Sequence, residues 1–204
     1  MDKSTLDYYS SDAENIAIRY ESANSPLIQI FTIAFPKEGK ILDIGCGSGR
    51  DLAELSQQGF NVFGVDPTSQ FVTIAMQSHP ELKGRVKIGS LPEIDTIFGG
   101  QFDGILCCAV LMHLEEAIFS KAVSNIKNLL KVKGRLLISL PEKRNDIVIN
   151  ERDEFGRLFK NYSSEFLTVE FEKQGFTLLK NWSNKDSMNR VGIEWLTQLY
   201  ELSK

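Results

Sequence analysis

No apolar run in this sequence is long enough to cross a bilayer, and Met1-Asp2-Lys3-Ser4 opens no secretory leader, so no membrane role is expected. Cysteine is scarce. Cys46, Cys107 and Cys108 form no C-x-x-C pair, which argues against a metal site and against a disulfide framework. Three such residues suit a reducing, cytoplasmic setting. An excess of positive charge is also missing. With 23 Lys and Arg against 27 Asp and Glu, the net charge of −4 offers no electrostatic footprint for nucleic acid or an anionic surface. No repeat, low-complexity tract or linker divides the chain. Its 204 residues, 42% apolar and 25% charged, fit a single globular domain with a core of its own.

What the sequence does have is concentrated in Lys40 to Asp51. The stretch opens as the short apolar run Ile41-Leu42-Asp43-Ile44, which suits a strand buried on both faces. Gly45, Gly47 and Gly49 follow at alternate positions, and then a helical pattern begins at Leu52, Ala53 and Leu55. Strand, glycine turn and helix together let a backbone come close to a ligand, because no Cβ blocks the approach and the opening helix offers free N–H groups. A dinucleotide fingerprint runs G-x-G-x-x-G, a different spacing. A turn that binds nothing is the plain structural alternative.

The pattern here, Asp43-x-Gly45-x-Gly47-x-Gly49-Arg50, resembles the first motif of the class I S-adenosylmethionine-dependent methyltransferases. A pyrophosphate wants a helix N-terminus free of carboxylates, whereas a ligand with an ammonium and a sulfonium can use a nearby Asp43. Later stretches extend the likeness. Phe60 to Val65 reads as a second buried strand that delivers Asp66 at its C-terminal end, where open α/β sheets bind ligands and an acid can accept both hydroxyls of a ribose. The spacing from Gly49 to Asp66 suits a nucleoside in either cofactor family. Asp66, Thr68, Phe71 and Ala75 are similar to the pattern after that family's second strand. Gln101 to Cys108 followed by His113-Leu114 is similar to its fourth motif, and Leu129-Leu130-Lys131 with Gly134-Arg135-Leu136-Leu137-Ile138 to the approach to its fifth strand.

The resemblance implies a Rossmann-like, doubly wound α/β sheet of seven mostly parallel strands in the order 3-2-1-4-5-7-6, the last antiparallel, with helices on both faces. S-adenosylmethionine would lie across the ends of strands one, two and four. It would be held by Asp43, Gly45, Cys46, Gly47, Gly49, Arg50, Asp66, Pro67, Ser90, Leu91, Cys108 and Ala109. Ser90 stands where the family more often has an acid or amide for the adenine amino group, and a hydroxyl accepts that bond more weakly. Cys107 and Cys108 read as packing residues, with a main-chain carbonyl near Cys108 or Ala109 for the ammonium. His113 is either a general base near the transferred methyl or a structural histidine at a helix start.

Around this core, Ser10, Ser11 and Asp12, just after Tyr8 and Tyr9, are expected to cap a helix to about Glu21, either simply packed on the core or forming a lid that brings a tyrosine and Arg19 near the pocket. A second short helix is expected over 27–35. Helices are also expected over 115–130 and after Ser163, and strands over 85–89, 136–140, 176–182 and 191–199. Residues 142–162 read as an insertion, either roofing an acceptor pocket or solvated. Arg190 and Trp195 either face that pocket or finish the sheet. The chain is thus expected to be one domain, 1–204, with an N-terminal helical lid (1–36), a cofactor core (37–140) and an acceptor-side part (141–204). The expected activity is methyl transfer to a small-molecule acceptor. A protein or nucleic-acid acceptor, a non-catalytic cofactor-binding module, and more distantly a nicotinamide oxidoreductase are the alternatives. The sequence does not speak to oligomeric state.

Overall fold

The apolar runs become strands buried on both sides. In the computed structural model, which describes residues 1–94, 96–188 and 190–203, one sheet contains seven strands in the order β3-β2-β1-β4-β5-β7-β6. They are β1 (Lys40–Ile44), β2 (Asn61–Asp66), β3 (Val86–Ile88), β4 (Phe102–Cys108), β5 (Leu130–Lys143), β6 (Phe176–Lys185) and β7 (Glu194–Leu202). Pairing from β3 through β5 is parallel, and β7 runs antiparallel to both neighbours. The expected strand order is the observed one. Asn189, within the expected loop 186–190, lies outside the described residues.

Alternation along each strand divides the core in two. Leu42, Ile105, Leu136 and Ile138 join one cluster, with Phe119, Ala122, Val123 and Ile126 of α6 (Glu116–Leu129) and Phe171 of α7 (Ser164–Lys173). Their strand neighbours Ile41, Leu106 and Leu137 join the other. There they meet Phe31 of α3 (Ile28–Ala34), Leu52 and Leu55 of α4 (Arg50–Gln57), and Val72 and Ala75 of α5 (Ser69–Ser78). Helices therefore cover both faces. Among the described residues, no helix is long and apolar enough to cross a membrane.

Several element boundaries differ from the sequence reading, β6 and β7 each running three residues past their expected ends. The expected helix over 13–21 is present as α2 (Ala13–Glu21), but a further helix, α1 (Lys3–Ser11), precedes it and contains Tyr8 and Tyr9. Its pattern is weakly amphipathic, and its support comes from distant residues. Asp2 caps it by accepting from Thr5 N at 2.9 Å and is gripped by both terminal nitrogens of Arg152 at 2.8 and 3.0 Å. The Thr5 hydroxyl accepts from Leu158 N at 2.9 Å. β5 starts six residues early, with Lys133 at φ 66° and a register shift against β4 absorbing the irregularity. β7 starts late, because Gly192 at φ 77° turns the chain and leaves Val191 exposed.

The N-terminal helices reach the sheet through a glycine. A Cβ at Gly104 would lie 2.3 Å from the Phe35 ring and 2.8 Å from Ile41 Cδ1. Gly104→Ala should therefore force repacking between α3 and β4. It is expected to lower unfolding free energy by about 1–3 kcal/mol in urea titrations, and an unchanged midpoint would show that Phe35 yields freely.

Candidate active site

The site forms where β1, β2, β4 and β5 end on the same edge. After Ile44 the chain turns through Gly45, Gly47 and Gly49, at φ 76°, 53° and 88°, all in the left-handed region. Gly45 N and Cys46 N both donate to Val65 O, at 2.8 and 3.1 Å, which fastens the turn to β2. A Cβ at Gly45 would lie 2.3 Å from Val110 Cγ2, whereas one at Gly47 would meet only Tyr20, at 4.0 Å. Space is thus left open above Gly47. Gly49 begins α4 and faces Leu82 and Ala75. It packs the helix and does not line the cavity, unlike the other two glycines.

Asp66 stands at the end of β2 with 5% of its surface exposed. Its carboxylate accepts from Gly47 N at 3.0 Å and from Thr68 N at 2.8 Å, so the glycine turn and the start of α5 are tied to one group. Burial raises its pKa to about 6, against the pull of those two amides. Asp43 is 3% exposed. Burial pushes its carboxyl well above the ordinary range, Asp51 and Asp66 push it the same way, and Arg50 opposes them. Arg50 is committed on three sides, donating to Asp51 Oδ1 at 2.9 Å and to the carbonyls of Tyr20 and Ala23 at 3.0 and 3.2 Å. It ties the end of α2 to the glycine turn. With Asp51 paired to Arg50, the floor leaves the Asp43 and Asp66 carboxyls facing the cavity, and a cation beside them would favour their ionised forms.

These groups open into a cavity of about 1230 Å³, its mouth included. Asp43, Gly45, Cys46, Gly47, Arg50, Asp66, Pro67, Cys108, Ala109 and His113 all line it. Ser90 and Leu91 line a smaller adjoining cavity that shares Gly45, Pro67 and Val110 with the first, and the Ser90 hydroxyl donates to Leu91 O at 3.0 Å. Burial raises the thiols of Cys46, Cys107 and Cys108, so none offers a thiolate. Ala109 sits at φ 59°, a costly conformation for alanine, with its N–H bound to Ser139 O at 2.7 Å.

Beyond the glycine turn the walls come from elsewhere in the chain. Tyr9 and Tyr20 enter from the N-terminal helices, Met188 and Arg190 from the β6–β7 connection, and Trp195 from the start of β7. Arg190 and Trp195 face the cavity and are held by Asp186, which accepts from Arg190 Nη2 at 2.6 Å and from Trp195 Nε1 at 2.9 Å. Burial would raise the Asp186 carboxyl, but those donors hold it at about 2. Arg19 is in a neighbouring cleft instead, 3.8 Å from Asp12. The segment 142–162 packs Leu158, Phe159 and Tyr162 inward while Val148, Ile149 and Phe155 stay exposed. His113 is 2% exposed, with Nδ1 2.6 Å from Leu158 O and Nε2 3.2 Å from Tyr9 Oη. Ser139 was not singled out by sequence reading. The signal for it is a hydroxyl inside the apolar run Leu136 to Leu140, and its side chain meets Thr197 Oγ1 at 2.9 Å.

A family model described as a methyltransferase domain matches residues 17–181. In sequence, the chain is 29% identical over 102 residues to a ubiquinone biosynthesis O-methyltransferase of Rickettsia bellii, covering 49% of this chain and 41% of that one. It spans less than half the length of several curated relatives it matches. A TehB-like SAM-dependent methyltransferase from Corynebacterium glutamicum is 27% identical with a TM-score of 0.68, over 93% of this chain and 97% of that one. The fold is also that of the Burkholderia thailandensis 1,6-didemethyltoxoflavin-N1-methyltransferase, solved with 1,6-didemethyltoxoflavin and S-adenosylhomocysteine. There the TM-score is 0.77 at 22% identity, over 98% of this chain and 88% of that one.

The raised Asp66 carboxyl makes stability depend on pH in a defined direction. Its folded pKa of about 6 exceeds the ordinary 3.8, so the contribution is full below about pH 4 and is lost as pH rises through about 6. Relative to Asp66→Asn, the wild type should lose up to about 3 kcal/mol of unfolding free energy between those limits and neutrality. Denaturant titrations at both ends check this, and a gap between the two proteins that does not move with pH would remove the shift.

Proposed function

The chain belongs to the methyltransferase-domain family, with S-adenosylmethionine as its cofactor, and from that premise we propose that it moves the cofactor's methyl group to a small-molecule acceptor. The observation that carries this reading is the pairing of Asp66 with an open glycine turn. A nearly buried carboxylate, oriented by two main-chain amides, keeps lone pairs for a ribose diol directly beside a turn whose central glycine leaves room for a ligand. In this reading Asp66 and Pro67 take the ribose, and Ser90 and Leu91 the adenine edge. Gly45, Cys46 and Gly47 lie along the ligand with Asp43 and Arg50 beneath it. Cys108 and Ala109 offer carbonyls to the ammonium.

When bound, S-adenosylmethionine supplies a methyl group already activated by its sulfonium. The chain's own contribution is placement. Holding two reactants in line can be worth about 7–11 kcal/mol, so no nucleophile–base–acid set is required of an acceptor with a lone pair. The side chains of Tyr20, Trp195 and Met188 line the part of the cavity away from the glycine turn, which in this reading takes the acceptor. A negative net charge and a concave, partly enclosed site support a small acceptor over a polymer. The Burkholderia enzyme is named for a small-molecule acceptor and the Rickettsia relative for ubiquinone biosynthesis, which supports the same choice. Residues 1–204 are read as one domain, and the buried thiols Cys46 and Cys107 agree with a cytoplasmic setting.

Calorimetry with S-adenosylhomocysteine tests the assignment. Asp66→Asn keeps the shape of the side chain but not its charge, and should weaken binding about 100-fold at neutral pH while the protein stays folded. Equal affinity in the two proteins would count against Asp66 as the ribose ligand.

A further inference from the structure

A chain of hydrogen bonds behind the cavity has a single possible direction. Leu158 O can only accept, so His113 Nδ1, 2.6 Å away, must carry the ring hydrogen. A ring only 2% exposed, beside the Arg157 and Arg144 guanidiniums, favours the neutral imidazole. Burial pushes its pKa down to about 4, and Arg157 and Arg144 act in the same sense against Leu158 O and Asp153. Nε2 therefore holds a lone pair and no hydrogen, and Tyr9 Oη, 3.2 Å from it, must donate. On another side, Arg157 Nη1 lies 3.4 Å from Tyr9 Oη, and it too can only donate. The Tyr9 hydroxyl hydrogen is thus committed to His113, one lone pair faces Arg157, and the second is what the hydroxyl offers the cavity it lines beside Tyr20.

We infer that Tyr9 recognises the methyl acceptor through a hydrogen bond accepted by its oxygen, so the site selects molecules that present an O–H or N–H donor there. Phenolates, tertiary amines and thioethers lack that hydrogen and are disfavoured. This inference rests on the methyltransferase reading and names the class of acceptor for that same cavity. His113 is a positioning residue that fixes the direction of the Tyr9 hydroxyl. It does not serve as a base, because its proton-accepting nitrogen is occupied and burial opposes the imidazolium. The aromatic edge contact between the two rings, 5.7 Å between centroids, holds the arrangement in place.

Two measurements test this on the full chain. With S-adenosylhomocysteine bound, phenol and anisole are compared as probes by calorimetry, since they differ only in the donor hydrogen and its replacement by methyl. Phenol should bind about 10- to 100-fold tighter to the wild type, and Tyr9→Phe should level the two while leaving S-adenosylhomocysteine affinity unchanged. Equal binding of both probes, retained discrimination in Tyr9→Phe, or no phenol binding by cofactor-loaded protein would overturn the inference. Failure to take up S-adenosylhomocysteine would instead overturn the methyltransferase reading. Nitrogen-15 spectra of labelled histidine at neutral pH should show His113 protonated at Nδ1 alone, with the Nε2 signal moving in Tyr9→Phe. The opposite tautomer or an imidazolium would also overturn it.

Discussion

The site depends on one buried carboxylate. Asp66 fastens the glycine turn through Gly47 N and the start of α5 through Thr68 N, so two chain segments meet at the end of β2 because of one side chain. The position is costly, since burial raises the carboxyl to about 6. An apolar residue there would avoid that cost but would leave two buried amides without acceptors. The strand, the turn and the acid therefore belong together, and the cavity is arranged around them.

The floor of the cavity extends the same electrostatic logic. Burial holds the Asp43 carboxyl well above its ordinary range, Asp51 and Asp66 push it the same way, and Arg50 offsets only part of that. Arg50 also spends its other hydrogens on the Tyr20 and Ala23 carbonyls, holding the end of α2 in place. A positively charged ligand relieves what the protein leaves uncompensated. In the proposed reading, the cofactor's sulfonium and ammonium would meet groups the fold keeps buried anyway.

Much of this was legible in the sequence. Buried parallel strands announce themselves as apolar runs, and glycines at alternate positions after a strand have few uses other than close approach. Strand order and the residues of the turn could therefore be read directly, with Asp66 following from its place at a strand end. Gly49 was the exception among the glycines, since a left-handed helix start looks the same in sequence whether or not a ligand touches it. The α1 helix was not legible. Its nine residues lack a strong apolar face, and its support comes from Arg152, Leu158 and His113, partners no local pattern can point to. Likewise, the commitment of the His113 nitrogens could not be foreseen, because it is set by a carbonyl 45 positions away.

The tie between Asp2 and Arg152 spans 150 positions, and that between Tyr9 and His113 spans 104. Closing loops of that length is entropically costly, so such contacts rely on the sheet between them to bring their ends together. During synthesis α1 cannot dock as soon as it is made, because Leu158 must leave the ribosome before Thr5 has its donor. Until then the nascent protein carries an open trough where the finished one has a wall.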